Sequence, residues 1–159
     1  MIRRATVDDR EFIKSIYEMP GMIKYLTDDN CPDNMKDCVD MIINTPGIYA
    51  LISEQLMIRT GLFLFFPWNY TTYELHVAIL PEYRGRMSIQ SGTDAGLWMF
   101  RNTCCQKIVT QIPTPNYRAK ALAIAVGMKQ EGINRKSYMK DGNLYDMYLY
   151  GICKEEAPL

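Results

Sequence analysis

Along this chain the spacing of apolar residues switches between a period near 3.6 and a period of two, and the switches predict the elements. Ile2 to Ala5 reads as a short strand. Thr6, Asp8 and Asp9 then supply a cap and first-turn acids for a helix with Phe12, Ile13, Ile16 and Tyr17 on one face, and Pro20-Gly21 ends it. Asp33 is set to cap a second helix, in which Met35, Cys38, Val39, Ile42 and Ile43 keep helical spacing up to Asn44–Gly47.

The period then falls to two. Ile48 to Ser53 and Met57 to Phe66 form a hairpin about Glu54-Gln55, and Pro67-Trp68-Asn69 turns the chain into a strand over Thr72 to Leu80. Pro81 closes that strand. Met87 to Asn102 reads as a helix despite Gly92 and Gly96, a pair that implies close packing against the sheet. Lys107 to Ile112 is a strand, and Pro115 to Val126 a helix with proline near its first turn. Met128 to Lys140 and Asn143 to Cys153 make a hairpin across Asp141-Gly142. The order β-α-α-β-β-β-α-β-α-β-β predicts one α/β (α+β) domain over residues 1–159, a mixed sheet with packed helices.

Composition narrows the function classes. With 159 residues, 48% hydrophobic and 23% charged, the chain is long enough for one core without a stapling metal or disulfide. Lys plus Arg is 18 and Asp plus Glu is 18, so the net charge is zero, which argues against a nucleic-acid binder. The halves differ: residues 1–80 carry 7 basic against 11 acidic side chains, and residues 81–159 carry 11 against 7. A basic second half suits a small polyanion. No apolar run is long enough to span a membrane, and the MIRRATVDDREF start lacks a signal-peptide core. Five cysteines, no Cys-x-x-Cys and a single histidine make a metal site improbable and suit a cytoplasmic setting.

Two stretches carry a family resemblance. Glu74-Leu75-His76-Val77-Ala78-Ile79-Leu80-Pro81-Glu82-Tyr83-Arg84-Gly85-Arg86 resembles the central strand and following turn of the GNAT superfamily of acyl-CoA-dependent N-acetyltransferases. The second runs from Asn116-Tyr117-Arg118-Ala119 through Gly127-Met128-Lys129-Gln130-Glu131-Gly132 to Asp141-Gly142 and Asp146-Met147-Tyr148-Leu149. It is similar to the ending of ribosomal-protein-type members. The resemblance implies a mostly antiparallel sheet with helices on both faces. A bulge would splay the central strand from its neighbour and open a gap for the acetyl-CoA arm, along Val77 and Ile79. It further implies that the turn and helix start at Arg84, Gly85, Arg86, Met87 and Ser88 meet the pyrophosphate, and that Asn116 contacts the arm. The family writes that turn with two glycines where this chain has Met87 and Ile89. Side chains there obstruct the pyrophosphate, whereas Arg84, Arg86 and the helix N-terminus attract it. Both outcomes stay open at this stage.

Acetyl transfer to an amine needs a base, an acid for the leaving thiolate, and a donor toward the thioester oxygen. Strand alternation puts Glu74, His76 and Ala78 on one face and Leu75, Val77 and Ile79 on the other. Glu74 falls where many family members place a strand carboxylate and is the first candidate base; His76 is the second. The tyrosine acid of many members is Ala123 here, with Tyr138 and Tyr145 as substitutes that nothing singles out. The resemblance thus implies an acetyl-CoA-dependent N-acetyltransferase acting on a small amine or a protein N-terminus. The alternative is an inactive fold of this type serving as a protein-binding component, as in short relatives encoded by tailed phages, where some act in head assembly or the virion.

Remaining features have plainer readings. Cys104-Cys105 is expected to be buried at a helix-to-strand junction, and Phe63 and Phe65 to be core. Trp68 is a candidate contact residue, the 11 methionines fill the core, and an edge strand near Asn143 to Cys153 offers a homodimer contact.

Overall fold

The computed structural model describes residues 1–29 and 38–157, leaving aside the side chains of residues 23–25. Strand β1 (Ile2–Arg4) leads through a one-turn 3-10 segment, Val7–Asp9, into α1 (Arg10–Glu18). Asp9, expected as a cap or first-turn acid, is fully buried. Its carboxylate accepts from Arg3 at 2.7 and 2.8 Å, from Arg59 Nε at 2.7 Å and from the Thr6 backbone N–H at 2.8 Å.

Pro20 opens a helix where the sequence reading has it closing one. α1 stops because Met19 is extended, the conformation favoured before proline, and α2 (Pro20–Leu26) then starts on a residue whose missing N–H is no loss at a first helical position. α3 (Val39–Asn44) is the end of the expected second helix; the expected cap Asp33 and Met35 lie outside the described residues.

β2 (Tyr49–Gln55) and β3 (Ile58–Pro67) pair across Leu56-Met57, not Glu54-Gln55. Both turn residues have positive φ, +48° and +66°, the geometry that matches a right-handed strand twist even without glycine. An irregularity between Ser53 and Glu54 shifts the register by one, which moves the turn along the chain. β4 (Thr72–Ile79), α4 (Arg86–Asn102), β5 (Lys107–Pro113), α5 (Tyr117–Ala125), β6 (Lys129–Lys140) and β7 (Asn143–Cys153) follow. Pro115 stands near the first turn as expected, one residue before the cap, and the helix itself starts at Tyr117 because Asn116 is the cap: its Oδ1 accepts from the Ala119 N–H at 3.2 Å. Asp141 and Gly142, at φ +51° and +72°, make the expected hairpin turn.

The seven strands form one sheet in the order β1-β2-β3-β4-β5-β7-β6, antiparallel throughout except for β4 beside β5. β7 is therefore interior, and the free edges are β1 and β6. The sequence expects an edge at 143–153, but the connection over α5 drops β7, not β6, against β5.

Each face of the sheet carries its own core. Phe63, Phe65, Tyr73 and Ile79 pack with Ala95, Met99 and Phe100 of α4 and with Ala123 of α5. Leu62, Leu64 and Ala78 pack on the opposite face with Ile13 and Ile16 of α1 and Val39 and Ile42 of α3. Alternation along β3 and β4 assigns side chains to the two cores. A Cβ at Gly92 would meet Val126 Cγ1 at 3.0 Å, so the tight approach is to the end of α5 more than to the sheet; at Gly96 the nearest atom, Ile108 Cδ1, is an ordinary 3.7 Å away. Only one cysteine of the 104–105 pair is buried. Cys105 is sealed, its thiol pushed up to about 11 by burial, while Cys104 is exposed and donates to the Tyr70 carbonyl at 3.0 Å. Trp68 stands 53% exposed in its turn.

Candidate active site

The site begins where two strands part. β4 pairs with β5 at Thr72–Lys107, Tyr73–Ile108 and Glu74–Val109, and the ladder ends there. Past Glu74, β4 follows β3 in unbroken register to Ile79, while β5 follows β7 in unbroken register to Pro113. Each strand keeps its antiparallel partner, and sheet twist separates the two pairs. The expected splay is present, but the bulge expected to cause it is not: the β3–β4 register never shifts. Beyond Glu74 the β5-facing edge of β4 pairs with no strand among the described residues.

A cavity of about 420 Å³ occupies the gap and reaches both faces of the sheet. On the α4–α5 side its wall is Gly92, Asn116, Ala119, Ala123, Val126 and Met128. On the other side it includes Tyr17, Leu26, Cys38, Met41, Ile42 and Phe66, and between them lie Leu75 to Ala78 of β4 and Thr110 and Ile112 of β5.

Polar groups converge at the point of parting. Glu74 Oε1 is 3.8 Å from His76 Nε2 and accepts a long 3.5 Å hydrogen bond from Gln111 Nε2. Gln111 Oε1 in turn accepts from Asn134 Nδ2 at 3.2 Å, so side chains of β4, β5 and β6 are linked across the opening. The Glu74 side chain is one-quarter exposed and that of His76 about half, and the imidazole and the Phe66 ring meet nearly perpendicular with centroids 5.5 Å apart. Desolvation lowers the His76 pKa below the ordinary 6.5, and the Glu74 charge partly opposes it. The expected pair is therefore assembled on one face. Gln111 escapes sequence reasoning because a lone glutamine in a strand carries no chemical signal.

The turn after β4 is arranged around Gly85. At φ +84° and ψ −133° it adopts a conformation open to glycine, and a Cβ built there would have nothing within 4 Å. Gly85 caps α4, whose first turn leaves backbone N–H groups without intrahelical acceptors. Ser88, expected at a ligand, is buried with its Oγ donating to the Gly85 carbonyl at 2.7 Å. Arg84 folds back: its Nε donates to the Ile79 carbonyl at 3.1 Å and its Nη2 lies 3.0 Å from Met22 Sδ. Arg86 is exposed at the first position of α4, and Met87 and Ile89 are 38% and 36% exposed. Of the β4 residues expected to meet an arm, Val77 lines the cavity and Ile79 is buried in the α4–α5 core. Asn116 lines the cavity while capping α5.

Ala123, at the usual tyrosine position, is 5% exposed in the cavity wall. Tyr138 is taken up elsewhere, donating to the Thr27 carbonyl at 2.8 Å, and Tyr145 lies opposite it in the β6–β7 ladder. That contact belongs to a strap. Lys140 Nζ also donates to the Thr27 carbonyl at 2.9 Å, and both oxygens of Asp29 accept from the turn amides of Asp141 and Gly142 at 2.8 Å. The segment after α2 is thus clasped to the tip of the β6–β7 hairpin. The two turn amides hold the Asp29 carboxyl below the usual aspartate value.

Among the described residues no group of three or more His, Cys, Asp or Glu side chains is placed to hold a metal ion, and no helix is long and apolar enough to cross a membrane. The parted parallel pair, the glycine-capped helix and the sheet order define the GNAT fold, and solved structures agree. Spermidine N-acetyltransferase from Vibrio cholerae, in complex with CoA and spermine, superposes with a TM-score of 0.84 at 18% identity, over 99% of this chain and 96% of that one. A GNAT-family acetyltransferase from Bacillus anthracis gives 0.80 at 19% identity, over 98% and 95%. A chimera of the Vibrio cholerae enzyme SpeG and hSSAT gives 0.81 at 17%, over 99% and 98%. No curated protein sequence matches the chain. Residues 13–158 match the family model described as "Protein of unknown function (DUF2824)", and the chain belongs to that family.

Proposed function

We propose that this protein transfers an acetyl group from acetyl-CoA to a primary amine. The observation that carries the reading is the parting of β4 from β5 with the Glu74–His76 pair at its root. Three features suit the co-substrate: the edge of β4 that pairs with no strand among the described residues, the open Gly85 turn with the α4 N-terminus behind it, and exposed Arg86 in place of the folded-back Arg84. Val77 and Asn116 would flank the arm in the cavity. Met87 and Ile89 replace the family's glycines but lie at the surface, outside the cavity wall. The solved neighbour that holds CoA and spermine supports the same pairing of ligands.

Acetyl-CoA supplies an acetyl group already activated as a thioester. Glu74, directly or through water, takes the proton that the amine must lose as its C–N bond forms and the C–S bond breaks. Desolvation favours the neutral form of His76, which is placed to share or relay that proton. Backbone N–H groups on the free edge of β4 are the donors toward the thioester oxygen. No tyrosine stands at the Ala123 position, so the leaving thiolate takes its proton from solvent or from the relayed one.

The test is release of CoA thiol with an amine panel, in wild type and Glu74→Gln. Removal of a general base lowers turnover by about 10²–10⁴-fold. Unchanged turnover would remove Glu74 from the mechanism. A chain that binds acetyl-CoA yet turns over no amine would point instead to the binding-component reading.

A further inference from the structure

Past Glu74 the main chains of β4 and β5 no longer pair, and on the face that carries Glu74 a side chain bridges the opening. Gln111 stands two residues beyond Val109, the last β5 partner of β4, so strand alternation puts it on the same face as Glu74. Its Nε2 donates to Glu74 Oε1 at 3.5 Å while its Oε1 accepts from Asn134 Nδ2 at 3.2 Å. The two partners fix the orientation of the amide. A flipped Gln111 would set its oxygen against the carboxylate and its NH2 against that of Asn134, two repulsive contacts in place of two bonds. The bond to Glu74 is long, as catalytic contacts often are before substrate binds.

Asn134 is held in its turn. It is the last β6 residue in register with β7 before the irregularity between Asn134 and Tyr138. Ser137 Oγ donates to the Asn134 carbonyl at 2.9 Å, and Asp146 Oδ1 accepts from the Lys136 N–H at 2.8 Å. The irregular segment thus has its own bonds, and the Asn134 side chain reaches across β7 to Gln111. A general base needs such support. Glu74 is one-quarter exposed, so water competes for its oxygens, and a poorly aimed carboxylate loses rate steeply. A neutral donor aims it with little loss of basicity, whereas a lysine or arginine at this place would suppress that basicity.

We infer that Gln111, itself oriented by Asn134, is the positioning residue for Glu74 in acetyl transfer. The inference rests on the transfer reading above, so one arm of its test needs no turnover. That arm uses His76, the single histidine, whose Nε2 lies 3.8 Å from Glu74 Oε1. Among the described residues Glu74 is the charge that acts on the imidazole, and Phe66 of β3, which packs beside it, carries none. The proton affinity of His76 is measured by NMR in wild type, Glu74→Gln, Gln111→Met and the double variant. Methionine keeps the length and volume of glutamine and removes its donor, so packing alone is preserved. Influences common to all four proteins cancel in the cycle. Glu74→Gln should weaken proton binding roughly sixfold with Gln111 present and only about two- to threefold without it, because a freed carboxylate swings away from the imidazole. Equal ratios in the two backgrounds would overturn the inference.

The second arm is CoA-thiol release with the amine panel. Gln111→Met should lower kcat about tenfold and leave KM for acetyl-CoA unchanged, and Asn134→Ala, at an exposed position, should lower kcat by less. Wild-type kcat in Gln111→Met would overturn the inference. No turnover by wild type with any amine would instead remove the transfer reading, and the His76 cycle would still decide whether Gln111 holds Glu74.

Discussion

Replacing Glu74 by glutamine keeps the shape of the side chain and removes one unit of charge 3.8 Å from His76 Nε2. Because the imidazole is about half exposed, the appropriate screening is close to that of bulk water. At a dielectric constant of about 80, Coulomb attraction over that distance is about 1 kcal/mol, equivalent to roughly a sixfold change in proton affinity. His76 in Glu74→Gln should therefore bind its proton about sixfold more weakly than in wild type, in the same direction as the lowering that desolvation already causes. The chain has one histidine, so an NMR pH titration of the imidazole carries no assignment ambiguity. The stability sign follows. A histidine pKa below its ordinary 6.5 disfavours the fold as pH falls through that value, and the glutamine variant should lose more stability across the window than wild type does. Raising salt to about 1 M, where the Debye length is roughly 3 Å, should shrink the difference between the two proteins. An unchanged or tighter proton affinity in Glu74→Gln would refute the pairing on which the catalytic assignment stands.

Asp9 lies fully buried between Arg3 and Arg59, so Asp9→Asn removes the carboxylate paired with Arg59 and leaves Arg3 with Glu54 alone, and should cost about 3 kcal/mol, or roughly 6–12 °C in melting temperature. Its carboxyl is held well below the ordinary 3.8, first by the Arg3 hydrogen bond, so this stability is complete above about pH 4 and drains as pH falls further. Wild type's advantage over the variant should shrink steadily in that acid range, as thermal melts between about pH 5 and pH 2 would show. Asp29→Ala removes both carboxylate acceptors of the hairpin turn, and hydrogen exchange at the Asp141 and Gly142 amides should accelerate while the β3–β4 amides keep their protection. Unchanged exchange at the turn would mean that the clasp does not hold the strap.

Much of this architecture was legible in the residues because the signals were local. Alternation along Thr72–Ile79 put Glu74 and His76 on one face, Asp141-Gly142 marked a turn, and the stretch from Glu74 to Arg86 carried the family resemblance. Where the structure departs, a non-local contact or a context-dependent residue decides. Pro20 serves equally to end a helix or to begin one, and only the extended Met19 settles which. The Leu56-Met57 turn holds positive φ without glycine, because the antiparallel register imposes it. Asp9 looked like a helix-start acid, yet its partners include Arg59, which no short-range pattern connects to it. The strap between Thr27–Asp29 and the hairpin joins residues more than a hundred positions apart, and Gln111 gains a role only because β5 lies beside Glu74. Arg84 matched the family turn by position, but its guanidinium is engaged by the end of β4 and by α2.

The central claim is that the gap between β4 and β5, with the Gly85 turn behind it, accepts acetyl-CoA. Calorimetric titration of the purified protein with acetyl-CoA, with dephospho- and desulfo-CoA as controls, tests it most directly. The expected result is saturable binding near micromolar strength, about −8 kcal/mol, and at a hundredfold excess over the dissociation constant about 2.7 kcal/mol of added stability. No heat and no thermal stabilisation at millimolar acetyl-CoA would contradict it.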